Sequence, residues 1–304
     1  MPHSPDTSPT ALAPAPLAPG LYVVATPIGN DADLSPRARS VLSRAHAVLA
    51  EDTRRSGLLF KRLGITRERK GFFSLHEHNE TGRIPQVLAM LEQGQAVALI
   101  SDAGTPVLAD PGFRLVRACR AASFRVTPVP GPSAPAAALS ACGLPPAPYT
   151  FFGFLPRQKS QAKKLLARHA GTGASLVFFE RKDRLPGTLA LAAAVLGDRE
   201  FALCRELTKV YEEFILGRLG RLADVGLDVL GEITVVIGPE ALGGPEALGG
   251  PAPETGPDQD AVLAAVMAEE KARGGKPREV ARRVAERVPG RSVKEIYERL
   301  GRNG

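Results

Sequence analysis

Short apolar runs alternate with amphipathic segments from residue 21 to residue 145. Apolar runs of this kind are typical of strands buried on both faces of a parallel sheet. We predict strands at residues 21–26, 47–51, 72–75, 96–100 and 124–129. Five helices are predicted between and after these strands. The first begins after Ser35, the second covers 53–63, and the third extends from Asn79 to about residue 92. The fourth begins near Gly112 and the fifth after Ser133. This alternation predicts an α/β domain, 21–145, with a mostly parallel, doubly wound sheet.

The pattern changes after residues 143–148, a stiff proline-containing segment that we take as a domain boundary. In the second domain, 149–239, strands are predicted at 150–154, 175–180, 200–205, 211–216 and 232–237, and helices at 158–169 and 184–196. The last strands follow one another with little helix between them. A second αβα domain with a mixed sheet is therefore expected.

Both ends of the chain differ from these two domains. Residues 1–20 are rich in proline and alanine and lack the features of a signal peptide, which indicates a disordered tail. The hexapeptide PEALGG occurs twice in succession from residue 239, so 240–257 is predicted to be a low-complexity linker. Residues 258–304 are predicted to form a small helical appendage, whose last helix begins at Ser292 with Glu295 completing a capping box.

Charge and cysteine content narrow the class of protein. The net charge is +7, and each predicted folded segment has a basic excess, which favours a polyanionic partner. Cys119, Cys142 and Cys204 have no metal-ligand spacing and are expected to be small core residues of a cytoplasmic protein. No apolar run approaches the length of a membrane span.

Three turns rich in glycine and proline follow strands of the first domain. Residues 26–30 read Thr-Pro-Ile-Gly-Asn, residues 101–106 read Ser-Asp-Ala-Gly-Thr-Pro, and residues 130–134 read Pro-Gly-Pro-Ser-Ala. Ligands of open α/β sheets bind beyond the carboxyl ends of the strands, so these turns are expected to form a cradle for a small molecule. None of them contains the three-glycine dinucleotide fingerprint, which argues against an NAD site, and none has a Walker A lysine loop.

Two residues of these turns have both a structural and a functional interpretation. Asp102 is either an ordinary turn residue or an acceptor for an amino or ribose hydroxyl group. Ser133 is expected to cap the following helix, whose start would also favour a ligand carboxylate.

The histidine-containing segment 75–80 follows another predicted strand. It is either a helix entry capped by Asn79 or a substrate-facing loop in which a histidine moves protons. It supplies no further ligand at zinc spacing, and we expect no metal.

Charged segments leave similar alternatives open. Asp52 or Thr53 can cap the next helix, whereas Arg54 and Arg55 would suit phosphates. The alternating charges of residues 205–209 fit either a salt-bridged sheet edge or a site. Basic residues between 159 and 168 form either a solvated face or a phosphate-tracking face.

Six motifs, in this order along the chain, resemble those of one family. They are residues 26–30, 50–54, 75–80, 101–106, 130–133 and 205–209. Together they resemble the bacterial small-subunit ribosomal RNA (cytidine-2′-O)-methyltransferases, a branch of the tetrapyrrole methylase superfamily. The resemblance covers residues 21–238, and the helical tail also looks like that family's extension.

The resemblance implies a homodimer with a tetrapyrrole methylase-like fold and S-adenosylmethionine in the cleft between the two domains. It implies methylation of the ribose 2′-hydroxyl of a cytidine in the 16S rRNA of the small ribosomal subunit, without a metal. The expected cofactor residues are Pro27, Asp102, Ala103, Gly104, Thr105, Ser133, Ala134, Phe179 and Leu207. Among them, Phe179 and Leu207 would lie near the adenine, and Pro27 would border, with Gly29, the side where RNA enters.

An attacking 2′-hydroxyl is a weak acid and benefits from a general base. The candidates for this role are Asp52, His78 and Glu206, which the sequence does not rank. The substrate RNA is expected to contact Arg54, Arg55, His76, Asn79, Arg205 and Lys209.

The sequence departs from the family pattern at two places. Asp31 stands where an aliphatic residue is usual, and residues 180–184 read Glu-Arg-Lys-Asp-Arg where the family tends to carry Ser or Ala and then Pro-His-Arg after the glutamate. Two other functions remain open: C-methylation of a tetrapyrrole or corrin precursor by the same fold, and non-catalytic RNA binding through 258–304. The basic charge argues against the first. The scarcity of aromatic residues in 258–304, where Tyr297 stands alone, argues against the second.

Overall fold

The computed structural model describes residues 17–67, 71–240, 266–271, 273–275, 277–287, 293, 296 and 297. The chain divides into two units, residues 1–241 and 242–304. The low-complexity linker from 241 onwards, the Ser292 capping box and residues 1–16 of the expected tail lie outside the described residues. Among the described helices, none is long and apolar enough to cross a membrane.

The first half of unit 1 contains a sheet in which all strand pairings are parallel. The spatial order is β3-β2-β4-β1-β5. The strands are β1 (Gly20–Val24), β2 (Ala47–Ala50), β3 (Phe72–Ser74), β4 (Ala96–Leu99) and β5 (Val126–Val129). The doubly wound parallel sheet predicted from the apolar runs is confirmed.

Five helices connect these strands. They are α1 (Pro36–Arg44), α2 (Thr53–Arg62), α3 (Glu80–Glu92), α4 (Phe113–Ala121) and α5 (Ala134–Ala141). Val48 of β2 packs in a core with α1 and α2, whereas the next residue, Leu49, packs with α3 and α4. Successive strand residues therefore face opposite helical layers, as a two-faced buried sheet requires.

The predicted side-chain capping hydrogen bonds are present at two helix starts and absent at two others. The Ser35 hydroxyl accepts from the backbone N–H of Ala38, and the Asp52 carboxylate accepts from the backbone at the start of α2. Asn79 and Ser133 stand at the N-cap positions of α3 and α5, but neither side chain makes a capping hydrogen bond. The predicted N-cap positions are therefore correct, but the side-chain capping bonds are not made, and the Asn79 side chain instead bonds within the loop before α3.

The second half of unit 1 contains a mixed sheet, as predicted. Its order is β6-β7-β10-β8-β9, with β6 parallel to β7 and the other pairs antiparallel. The strands are β6 (Tyr149–Phe154), β7 (Ser175–Glu180), β8 (Glu200–Arg205), β9 (Glu213–Arg218) and β10 (Ile233–Ile237). The strand expected at 211–216 begins two residues later, because pairing with β8 starts at Glu213 and leaves Tyr211 in an exposed turn.

The two faces of this sheet have different partners. Leu176 and Phe178 pack with the helices α6 (Lys159–His169) and α7 (Leu185–Leu196). On the opposite face, Val177 and Cys204 pack against α5 of the first half. All three cysteines are buried and unpaired in disulfides, as expected for core residues.

Most of the described residues of unit 2 are helical, and 273–275 form a turn. Helix α8 (Pro277–Arg287) contributes Val280, Ala281 and Val284 to a small core with Ile296. Glu270 is buried in this unit and forms ion pairs with Arg273, Arg283 and Arg287. These ion pairs compensate for the burial of its carboxylate.

Candidate functional site

A cavity of about 500 Å³ lies between the two halves of unit 1. The first half contributes Ile28, Ala103, Ala109, Asp110 and Ala134, and the second half contributes Phe154, Phe179, residues 180–183 and residues 231–234. An adjoining recess of about 80 Å³ is lined additionally by Gly104, Thr105 and Ser133. Six of the nine expected cofactor residues, all but Pro27, Asp102 and Leu207, thus line one continuous region.

The loops that form this region are held to one another. The backbone of Thr26 and Gly104 exchanges two hydrogen bonds, of 2.9 and 3.1 Å, which joins the turns after β1 and β4. The Thr105 hydroxyl donates to the Pro132 carbonyl at 2.9 Å and ties in the turn after β5. Gly104 has φ of +81°, and a Cβ there would come within 3.1 Å of Ile28, so both its conformation and its surroundings favour glycine. The cradle is therefore held in place before any ligand binds.

Asp102 lies in the same turn, next to the lining residue Ala103. Its Oδ2 accepts a hydrogen bond of 3.0 Å from Arg55. Its Oδ1 is buried and has no hydrogen-bond partner among the described residues. A buried carboxylate oxygen without a donor is costly, and a ligand amino or hydroxyl group could satisfy it.

Asp110 is a functional candidate that the sequence analysis missed. It lines both the cavity and the recess. Burial, followed by the nearby charge of Glu51, raises the pKa of Asp110 from 3.8 to about 6. The pKa of Glu51 is also raised, by desolvation and then by Asp102. A sequence signal existed, since Asp110 precedes Pro111 and Gly112 at the start of α4, much as Asp102 precedes Gly104.

Two of the three candidate bases have carboxylates engaged within the protein. Asp52 accepts from the backbone N–H groups of Arg54 at 2.8 Å and Arg55 at 3.3 Å, which lower its pKa. Glu206 accepts from the Glu232 N–H and the Lys209 ammonium, both at 2.9 Å, and these two interactions lower its pKa.

His78, the third candidate, is exposed, and its ring centroid lies 6.1 Å from that of His76. Of the described residues that line the cavity, none is one of these three candidates.

The side chains expected to contact RNA differ in their availability. Arg205 donates to Glu213 at 2.6 Å, and Lys209 pairs with Glu206 and Glu232. Residues 205–209 therefore form a salt-bridged sheet edge, the first of the two alternatives considered for them. Arg54 and Arg55 are both exposed, and Arg55 pairs with Asp102 at 3.0 Å.

The Asn79 side chain accepts from the His76 N–H at 2.9 Å and donates to the Ser74 carbonyl at 3.2 Å, so it shapes the loop. The Nδ1 atom of His76 is buried without a partner among the described residues.

The other expected cofactor residues support the cavity or line its far wall. Pro27 is buried in the turn after β1, and Leu207 is buried in the same core as Ile28, which the two halves share. Phe179 lines the cavity, and its ring lies 5.1 Å from that of Phe151 and 5.5 Å from that of Phe154. The second half thus contributes an aromatic wall.

Both departures from the family pattern form ion pairs. Asp31 accepts from Arg62 at 2.7 Å, joining the turn after β1 to α2. Arg181 and Asp183 pair at 3.2 Å on the rim of the cavity. Among the described residues, no group of His, Cys, Asp and Glu side chains could hold a metal ion.

Comparison with known proteins identifies the family. A model of the "Tetrapyrrole (Corrin/Porphyrin) Methylases" matches residues 20–223. A relative from Mesorhizobium japonicum, named ribosomal RNA small subunit methyltransferase I, is 47% identical over 76% of this chain and 79% of its own. One of the same name from Micromonospora olivasterospora is 42% identical over 92% of this chain and 86% of its own.

Among solved structures, that of the methyltransferase CobJ aligns with a TM-score of 0.57 and 18% identity, over 73% of this chain and 95% of its own, which shows the shared fold. The chain belongs to the tetrapyrrole methylase family and, within it, to the relatives named ribosomal RNA small subunit methyltransferase I.

Proposed function

We propose that the protein transfers a methyl group from S-adenosylmethionine to the ribose 2′-hydroxyl of a cytidine in the 16S rRNA of the small ribosomal subunit. The single observation that carries this proposal is the cavity between the two halves, lined by the turns after β1 and β4 and by Phe179. The names of the relatives support rRNA as the substrate. We further propose that the protein is a cytoplasmic homodimer.

The residues of the cavity fit S-adenosylmethionine. A volume of about 500 Å³ is within the usual range for small-molecule sites. Phe179 and Ile28 offer apolar surface to an adenine ring. The unpartnered Oδ1 of Asp102 suits an amino or hydroxyl donor, and the Asp110 carboxylate suits a positive charge.

When bound, S-adenosylmethionine supplies a methyl group on a positively charged sulfur. In this proposal Asp110 holds that charge in a partly desolvated site, where electrostatic attraction is stronger than in water. The fixed turns around Gly104 orient the ligand, so that positioning supplies part of the rate acceleration. Phe154 and Phe179 exclude water from one side of the cavity.

A general base on the 2′-hydroxyl would add to the rate. The candidates are still Asp52, His78 and Glu206, and His78 is the exposed one, whereas Asp52 and Glu206 are half-buried. Each is replaced by alanine, and methyl transfer to unmodified 30S subunits is measured together with cofactor affinity. Loss of the base should lower turnover and leave cofactor affinity unchanged. If no replacement slows transfer by more than about tenfold, this part of the proposal is wrong.

Calorimetry with S-adenosylmethionine separates an enzyme from a non-catalytic RNA-binding protein. We expect binding to the wild type and loss of binding in Ala134→Phe, whose side chain would project into both the cavity and the recess. The control is Ala167→Phe on the exposed side of α6, which should bind as the wild type does. Absence of binding to the wild type would favour the non-catalytic alternative. Transfer to a corrin precursor, with none to 30S subunits, would favour C-methylation.

A further inference from the structure

A second and larger concavity, of about 890 Å³, opens beside the cofactor cavity. It lies between the segment that links β6 to α6 and the start of α7. Phe154, Arg181 and Asp183 line both concavities. An extended ligand bound in this groove would therefore reach the cavity that we assign to the cofactor.

The walls of the groove carry more positive than negative charge. Arg157, Lys159, Arg181 and Arg184 line it together with one acidic residue, Asp183. Arg184 forms an ion pair with Glu180 at 3.4 Å and donates to the Leu155 carbonyl at 3.2 Å. Arg181 forms an ion pair with Asp183.

Arg157 and Lys159 are different. Both are exposed, and neither has an ion-pair partner among the described residues. The first turn of α6, which begins at Lys159, contains no acidic residue. Two uncompensated cations on one wall favour a polyanion.

An exposed aromatic ring stands at the junction of groove and cavity. Phe154 is 55% exposed, although it rests against Phe179 with ring centroids 5.5 Å apart. Exposed aromatic rings next to cations are the usual means by which proteins hold unstacked bases of single-stranded RNA.

Three of the other basic residues expected to contact RNA already form ion pairs. Arg205, Lys209 and Arg55 are engaged with Glu213, with Glu206 and Glu232, and with Asp102. Among the described residues that line the cavity or the groove, the cations without an ion-pair partner are Arg157, Lys159 and Lys182, all in the second half of unit 1.

We propose that this groove binds the single-stranded RNA segment next to the target nucleotide, with Arg157 and Lys159 on phosphates and Phe154 stacked on a base. The inference rests on the proposed function and specifies where its RNA substrate binds. A surface for an acidic protein partner is the competing explanation of the charge, but it would give no role to the exposed ring of Phe154.

The test compares two double variants of equal charge loss. Arg157→Gln with Lys159→Gln alters the groove, whereas Lys164→Gln with Arg168→Gln alters exposed residues of α6 that do not line it. Methyl transfer to unmodified 30S subunits is measured at fixed magnesium over a range of potassium chloride, with cofactor affinity measured by calorimetry.

The expected result is a rise in KM for 30S subunits in the groove variant only. Two lost phosphate contacts should weaken binding about 25-fold near 0.1 M monovalent salt and reduce the log–log salt slope by about 1.4. Turnover at saturating 30S and cofactor affinity should not change. An unchanged KM, or an equal rise in both double variants, would overturn the proposal. If the wild type transfers no methyl group to 30S subunits, the proposed function itself fails, and the inference falls with it.

Phe154 provides an independent check. Phe154→Leu should raise the KM for 30S subunits by about tenfold or more, and Phe154→Tyr should restore it, because the tyrosine ring can also stack on a base. A loss confined to cofactor affinity would show that Phe154 serves the cofactor cavity alone. A raised KM that tyrosine does not restore would contradict stacking.

Discussion

Replacing Asp110 with asparagine is expected to stabilise the fold near neutral pH while impairing the site. The carboxyl lines the cavity, and its pKa is raised from 3.8 to about 6, chiefly by burial and then by Glu51. Below the unfolded-state value the carboxyl is neutral in both states and imposes no penalty. Between pH 3.8 and about 6 the unfolded chain ionises while the folded state keeps its proton, and above 6 the folded state carries a charge in an unfavourable place. Stability is therefore lost between pH 3.8 and about 6 and stays at the lower level above that range.

The size of the effect follows from the shift. A displacement from 3.8 to about 6 corresponds to about 3 kcal/mol at roughly 1.4 kcal/mol per pKa unit. Because the carboxyl is partly open to solvent through the cavity, screening reduces this to about 1–2 kcal/mol. Asparagine keeps the shape and removes the charge. The Asp110→Asn variant should accordingly gain about 1–2 kcal/mol at pH near 7.5 and about half of that at pH near 5.

Urea denaturation at the two pH values measures this difference directly. The control is Asp224→Asn, which changes an exposed carboxylate away from the cavity and should leave stability unaltered. A variant less stable than the wild type at pH 7.5, or a gain that is independent of pH, would refute the electrostatic account of Asp110. The same variant should bind S-adenosylmethionine more weakly, since it lacks the negative charge assigned to the cofactor.

Three further predictions concern ligand affinity and stability. Affinity for S-adenosylmethionine in calorimetry should rise as the pH rises through about 6 and become flat in Asp110→Asn; a pH-independent wild type would contradict the charge pairing. Ser35→Ala should cost about 1 kcal/mol in urea denaturation, because the Ser35 hydroxyl caps α1, and Ser35→Asp should retain most of that stability. In Glu270→Gln, unit 2 should unfold at a lower temperature at neutral pH. Hydrogen bonds from Arg283 and Arg287 lower the pKa of Glu270. The difference in unfolding temperature between the variant and the wild type should therefore shrink in acid, because the wild-type carboxyl is then protonated.

Local sequence pattern was sufficient for the sheet of the first half and for the position of its ligand-binding turns. Each buried strand is a short apolar run, and a turn with glycine or proline after such a run must lie at the carboxyl edge. The first residue of β9 could not be predicted from the local sequence. The sequence pattern of a strand extends back to Tyr211, but the pairing with β8 begins only at Glu213 and leaves residues 211 and 212 outside β9.

Charged residues show why part of the site could not be predicted. The pKa of Asp110 depends on burial and on Glu51, which follows a different strand. Arg205 and Lys209 pair with Glu213 and Glu232, which lie on other parts of the sheet, whereas Arg157 and Lys159 have no ion-pair partner among the described residues. Whether a surface charge is already paired is a property of the fold and not of the local sequence.

The central claim is methyl transfer to a cytidine 2′-hydroxyl of 16S rRNA, and nucleoside analysis tests it most directly. Unmodified 30S subunits are incubated with the protein and S-adenosylmethionine labelled in its methyl group, and the RNA is then digested to nucleosides. The account predicts label in 2′-O-methylcytidine alone, with loss of label when the Ala134→Phe variant is used. Label in any other nucleoside, or no transfer by a protein that binds the cofactor, would contradict it.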